Sequence, residues 1–258
     1  TLVLCVSVRV RVRVMEFKLW SLLLLIADRD GLRTPARDTQ GYVLDAGAND
    51  GSSAEMMANA FKSKGLRVLA IEPLSSNVLV ATRRAERATN LEVIRGGLGA
   101  TNGSVARYPR YMDKRKGDIS LQIQSWSSEQ NIGEVTYPIF TIDALFGGGE
   151  GGEGGEGGEA LGRSLVLAHL DLEGCELDAL SAANATIARD RPIVTVETYP
   201  LFMPHKHNAI MAYFEEHSYD VYTVKEIVGG IKDGRNRVCV PREDRHLRWV
   251  LGHWFHMT

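Results

Sequence analysis

"VLDAGANDGSSAE", residues 43–55, decides how this chain folds. An apolar run meets Asp45, Gly47 and Gly51 punctuate a short polar loop, and Ser52 or Ser53 stands where a helix can be capped. This is the pattern of a first strand turning into a helix above a nucleotide-like ligand: glycine permits a tight turn and a close backbone approach, and a serine oxygen accepts the first free N–H groups. The helix is predicted over Ser52 to Lys64.

The same rhythm continues outward. "LRVLAIEP" (66–73) and "LEVIRGG" (91–97) read as strands, with a helix over Asn77 to Ala88 between them. After residue 160, "SLVLAHLDLEG" (164–174) reads as a strand, followed by a helix over Leu177 to Ala188 and the buried strand "PIVTVETYP" (192–200). A helix from Asn208 to His217 follows, then strands at "YDVYTV" (219–224) and "NRVCVP" (236–241). Strands alternating with helices predict βαβ units, hence an α/β, doubly wound, mostly parallel sheet with helices on both faces. Residues 103–142 lack helical period and read as added strands or a lid, where Tyr108, Tyr111 and Trp126 are packing residues or line an acceptor pocket. Gly147 and the four Gly-Gly-Glu repeats ending at Glu159 have nothing apolar to bury, so 147–159 reads as a flexible insertion within one domain of residues 41–241. Residues 242–258 form a tail with a short amphipathic helix at "HLRWVLGHWFHM".

With 258 residues, 44% hydrophobic and 24% charged, the chain suits a sizeable globular core. A net charge of -2 gives no positive field to gather nucleic-acid phosphates, so the expected partner is a small molecule. Cys5, Cys175 and Cys239 form neither a disulfide framework nor a zinc spacing, which points to a reducing compartment and the cytoplasm. Cys175 reads as a buried, inert thiol. Residues 1–40 read as a leader, poorly ordered or a short apolar helix; "VSVRVRVRVMEF" (6–17) also alternates like a strand with a basic face. The apolar run Leu19 to Ala27 is too short to span a membrane, and the alternative is a secretory signal from Met15 to Ala27.

The ligand follows from two acids. Glu72, 27 positions beyond Asp45, ends the second strand, where a carboxylate can accept hydrogen bonds from both ribose hydroxyls. The loop is Gly-x-x-x-Gly and not the GxGxxG that cradles a pyrophosphate, and Asp45 would repel phosphates while attracting the ammonium of a methionine moiety. S-adenosylmethionine is therefore favoured over NAD. Asp171 and Glu173 sit where the fourth strand emerges, facing the crevice in which open α/β sheets bind ligands, and are the candidate base and acceptor-orienting groups. The less favoured use of these acids is a divalent-metal site of His169, Asp171, Glu173 and Glu197, three of which alternate onto one strand face. Glu176 reads as an acid in the first turn of a helix. His205 and His207 read as part of a mobile loop after Pro200 and Pro204, and Arg235 and Asn236 as a structural turn.

In order and spacing, "YVLDAGANDGSS" (42–53), "LAIEPLSSN" (69–77), "NLEVIRGGLG" (90–99), "TIDAL" (141–145), "LAHLDLEGCELDAL" (167–180), "RPIVTVETYP" (191–200) and "GRNRVCVP" (234–241) resemble the FkbM-type methyltransferases, a family of S-adenosylmethionine-dependent O-methyltransferases. The resemblance implies a Rossmann-like class I methyltransferase fold with a seven-stranded sheet. It also implies a cofactor site at Asp45, Gly47, Ala48, Asn49, Gly51, Glu72 and Pro73, with Gly97 and Leu98 near the adenine edge. The implied acceptor is a hydroxyl of a sugar, glycolipid, polyketide or other small molecule. Three alternatives stand beside it: a nicotinamide-dependent oxidoreductase, a nucleic-acid or protein N-methyltransferase, which would carry an Asn/Asp-Pro-Pro-aromatic motif where "DLEG" (171–174) stands, and a non-catalytic binding protein that keeps the fold.

Overall fold

A computed structural model describes residues 39–101, 103, 105–109, 134–147, 162–224, 226–228, 231–254 and 256–257. The leader, the signal reading from Met15 to Ala27, Tyr111, Trp126 and the Gly-Gly-Glu repeats lie outside the described residues. The described chain forms two compact units, one ending at Glu197 and the other beginning at Thr198.

In the first unit, strands β1 (Thr39–Ala46), β2 (Arg67–Glu72), β3 (Leu91–Arg95), β7 (Gly162–Leu170) and β8 (Ile193–Glu197) lie in the order β8-β7-β1-β2-β3, and all pair in parallel. Their apolar runs are continuous because both faces are covered: Val43, Leu44, Leu69, Ala70, Leu167 and Ala168 are all buried. From β1 the chain steps to β2 and β3 in one direction, and from β7 to β8 in the other. Right-handed crossovers then put the intervening helices on opposite faces and create a switch point between β1 and β7. This is the doubly wound, mostly parallel, Rossmann-like class.

The helix Ser52–Phe61 buries Ala54, Met57, Ala58 and Phe61, one stripe at helical spacing, and a 3₁₀ turn at Lys62–Lys64 ends it. Its neighbour Ser75–Ala85 packs so closely that a Cβ on Gly51 would stand 2.7 Å from the Ala81 Cβ. Three short strands, β4 (Gly97–Leu98), β5 (Val105–Pro109) and β6 (Glu134–Phe140), form a separate ribbon in the order β4-β6-β5. The helix expected over Leu177 to Ala188 is two helices, Glu176–Ser181 and Asn184–Asp190. The first ends where Ser181 Oγ bonds back to the Asp178 carbonyl at 2.7 Å; the second is capped from outside by Asp143, which accepts from the N–H groups of Ala185 and Thr186 at 3.1 and 2.7 Å.

In the second unit, β9 (Tyr219–Thr223) pairs antiparallel with both β12 (Asn236–Pro241) and β13 (His256–Met257), and β10 (Glu226–Val228) with β11 (Ile231–Asp233). Of the strands expected, β1, β2, β3, β7 and β8 form in the first unit and β9 and β12 in the second. The helix expected from Asn208 begins at Pro204 and runs to Glu216. His205 and His207 therefore lie in its first turn and not in a loop; proline at the first helical position loses no hydrogen bond and its fixed φ suits the helix. A helix does form in the tail, Arg245–Trp254. No helix among the described residues is long and apolar enough to cross a membrane.

Candidate active site

The glycine loop is held by the backbone of its neighbours. Gly47 and Ala48 donate N–H to the Ile71 carbonyl at 3.0 and 3.1 Å, and Asp171 donates N–H to the Ala46 carbonyl at 3.0 Å. These bonds bring the carboxyl ends of β1, β2 and β7 to one place, beside the switch point. Gly47 has φ +86°, and a Cβ there would stand 1.8 Å from the Asp171 carbonyl oxygen. Glycine is required at this position both by backbone conformation and by space.

Glu72 organises the rim. It is 5% exposed; Oε2 accepts from the Asn49 N–H and Oε1 from the Leu74 N–H, both at 2.9 Å, with Asn77 Nδ2 at 3.4 Å. Asn49 sits at φ +50°, a left-handed conformation that asparagine tolerates, and so turns its N–H onto the carboxylate. Neither Ser52 nor Ser53 caps the helix: Gly51 is the N-cap with no side-chain bond, Ser53 Oγ donates to buried Asp45 at 2.7 Å, and Asp50 accepts from the Ser52 N–H at 3.0 Å. The loop's competing need, fixing Asp45 and Asp50 in place, uses both serines. Arg84 clamps the same loop from the next helix, donating from Nε to the Asp50 carbonyl at 2.9 Å and from Nη1 to Glu55 at 2.6 Å.

Gly97 and Leu98 form β4, which pairs with Ile139 and Phe140. A Cβ on Gly97 would meet the buried Tyr137 ring at 2.8 Å, so this glycine seats an aromatic ring. Tyr137 was not among the residues singled out, since "TYPIFTID" has no strong period. Its pKa is raised by burial and then by the charges of Cys175 and Glu72, which keeps the phenol neutral beside that rim.

On the β7 side, Asp171 Oδ1 is buried and receives no donor; the Glu197 carboxyl from the end of β8 meets Asp171 instead. Burial, then the charges of Glu197 and Glu173, hold the Asp171 pKa well above the ordinary carboxylate range, so the protonated form of Asp171 is favoured beside Glu197. Glu173 and Gly174 follow with φ +52° and +102°, a tight left-handed turn. Glu176, 2% exposed, folds back on that turn and accepts from the N–H groups of Leu172 and Gly174 at 2.9 and 3.1 Å. Its work is to shape the turn beyond the strand. Replacing Glu176 by alanine would leave two N–H groups without an acceptor, and chemical denaturation should report a loss of about 2–3 kcal/mol. Cys175, expected buried, is half-buried at the start of this helix.

His169 makes a hydrogen bond to the adjacent strand. Burial pushes its pKa down to about 4, and its Nδ1 is 2.8 Å from Thr195 Oγ1 on the adjacent strand. Among the described residues, no three His, Cys, Asp or Glu side chains gather as metal ligands. Arg235 serves as expected of a structural turn: its carbonyl accepts from the N–H of Thr198 at 2.9 Å and from the Thr198 hydroxyl at 3.1 Å.

The family model described as the methyltransferase FkbM domain matches residues 45–221. Similar solved structures include the methyltransferase FkbM from Methylobacillus flagellatus KT, at 19% identity and TM-score 0.49 over 82% of this chain and 46% of that one. The O-methyltransferase from Bacillus cereus in complex with SAH is similar at 14% identity and TM-score 0.45, over 86% of this chain and 79% of that one. Aeropyrum pernix fibrillarin, with natively bound S-adenosyl-L-methionine, is similar at 10% identity and TM-score 0.44, over 86% and 76%. This chain spans less than half the length of the Methylobacillus protein. No curated protein matches it in sequence. The fold and the family match define a Rossmann-like methyltransferase domain. The chain belongs to the FkbM methyltransferase family.

Proposed function

We propose that this chain is an S-adenosylmethionine-dependent methyltransferase that methylates a hydroxyl of a small molecule such as a sugar, glycolipid or polyketide. The observation that carries this reading is Glu72, a buried carboxylate held at the tip of β2 by the N–H groups of Asn49 and Leu74 beside a glycine turn. Oε2 accepts from the Asn49 N–H and Oε1 from the Leu74 N–H, with Asn77 Nδ2 at 3.4 Å from Oε1, so the carboxylate is fixed as an acceptor at the strand tip, the kind of group that suits the hydroxyls of a ribose. Asp45, anchored by Ser53, offers negative charge to an ammonium group. These residues fit the proposed cofactor. When bound, S-adenosylmethionine supplies a methyl group already activated on a sulfonium centre.

What remains for the chain is to hold an acceptor oxygen in line and to take its proton. Asp171 and Glu173, at the mouth of the crevice beyond β7, are assigned these roles: Asp171 as base and Glu173 as the group that orients the hydroxyl. Asp171 is protonated within its pair with Glu197 and becomes a base only when that proton leaves. Turnover is therefore expected to rise with pH through the raised Asp171 pKa. Asp171→Asn should abolish turnover while leaving S-adenosylhomocysteine binding intact.

Stability should move the opposite way. A carboxyl whose native pKa is raised binds more protons when folded than unfolded, so stability falls as pH climbs from the ordinary carboxylate value through the native one. Asparagine cannot ionise, and its amide can still donate to Glu197. Asp171→Asn should therefore be more stable than the parent above that interval, by thermal melts at several pH values; equal pH dependence in both chains would show that Asp171 is not the buried acid described. The activity itself is tested by screening hydroxylated metabolites with a radiolabelled methyl donor, with and without chelator. Label found on nitrogen, or transfer unchanged in Asp171→Asn, would remove the hydroxyl-directed mechanism.

A further inference from the structure

We propose that the second unit holds an oxyanion site at Arg237, formed to take a carboxylate or phosphate group.

Arg237 lies in β12, one pleat from the fully buried Cys239 on the same strand face, and is only 4% exposed. A guanidinium offers five N–H donors and cannot shed its charge. Here Nη1 bonds the Gly234 carbonyl and, at 3.2 Å, the Asn236 carbonyl, while Nε is buried with no acceptor at all. Among the described residues no carboxylate answers this cation; burial is the main influence on it, and the neighbouring Cys239 thiol, whose pKa burial raises, is neutral. Two other arginines of the same unit are treated differently, since Arg242 and Arg248 both pair with Asp220. A buried cation without a counter-charge is costly, and the cost is relieved when an anion arrives with acceptors for its free donors.

A second positive feature meets the first. The 13-residue helix Pro204–Glu216 begins with no side-chain cap, leaving the positive end of its dipole unanswered by any acid in the first turn. His207 in that turn feels the Arg237 charge, which acts with burial to hold the imidazole neutral. His207 Nδ1 is engaged by Thr198 Oγ1 at 3.2 Å, which fixes the ring. A buried, unanswered arginine beside an uncapped helix start calls for an oxyanion. The planar fork of Arg237 suits the two oxygens of a carboxylate or phosphate.

The test uses the full chain. Inorganic phosphate and acetate are titrated separately at constant ionic strength in chloride, against the parent, Arg237→Met and Arg237→Gln, with binding read by calorimetry and folding by circular dichroism. The parent should bind at least one of the two saturably, and the better of the two names the group recognised. Both variants should bind that anion at least about tenfold more weakly. No saturable binding by the parent, or parent-like affinity in whichever variant keeps its circular dichroism, would overturn the proposal. S-adenosylhomocysteine is titrated in parallel: its failure to bind would remove the methyltransferase reading and leave the anion result standing by itself.

Discussion

Gly47→Ala should melt about 10 °C below the parent and lose measurable affinity for S-adenosylhomocysteine. Two costs combine. A non-glycine residue at φ +86° is strained by roughly 1–3 kcal/mol, and the new Cβ would stand 1.8 Å from the Asp171 carbonyl oxygen, a contact that only a backbone shift can relieve. The backbone that must move is the joint between β1 and β7, tied by the bond from the Asp171 N–H to the Ala46 carbonyl. A total of about 3–5 kcal/mol is at the upper end for a single substitution and corresponds to that shift in melting temperature for a chain of this size. Gly65→Ala is the matched control: φ is +68°, nothing lies within 4 Å of the added carbon, and only about 1 kcal/mol should be lost. Differential scanning calorimetry on the two variants separates close approach from conformational strain; equal shifts would show that the Asp171 carbonyl is not where it is described.

The second large effect is expected from Glu72→Gln. Glutamine keeps size and shape but replaces one carboxylate oxygen by an NH₂ group. Both oxygens of Glu72 face backbone N–H donors, from Asn49 and Leu74, so either orientation of the amide sets donor against donor. One N–H is left unpaired at about 1–3 kcal/mol, and the loop loses the anchor that holds Asn49 in its left-handed turn. S-adenosylhomocysteine affinity should fall about a hundredfold, close to the fall in Glu72→Ala, because the oxygens that would face the ribose are the same ones that hold the loop. Affinity within a factor of two or three of the parent would mean that Glu72 neither faces the ligand nor fixes the loop.

Much of this was legible in the residue pattern because it is local. The strand-to-helix turn at Gly47, the acid ending β2 and the acids beyond β7 each follow from a few neighbouring residues whose periodicity changes. What depends on distant partners was not legible. Gly51 reads as a glycine for a ligand, yet Ala81 of the next helix occupies the space where its side chain would be. Glu176 reads as a helix-start acid, yet its carboxylate returns to the turn before it. The Asp171–Glu197 pair joins residues on neighbouring strands whose register no local pattern specifies, and burial together with this pairing raises the Asp171 pKa well above that of a free carboxylate. Tyr137 was missed because its place under Gly97 comes from the pairing of β6 with β4. The start of the helix at Pro204 shows a local signal weighed wrongly, since proline ends helices but also begins them.

The central claim, that the crevice beside Gly47 and Glu72 binds the methyl donor, is tested most directly by calorimetric titration of the full chain with S-adenosylhomocysteine and, separately, with NADH. The account expects saturable binding of one S-adenosylhomocysteine per chain, lost in Glu72→Gln, and no binding of NADH. Saturable NADH binding with none of S-adenosylhomocysteine would contradict it.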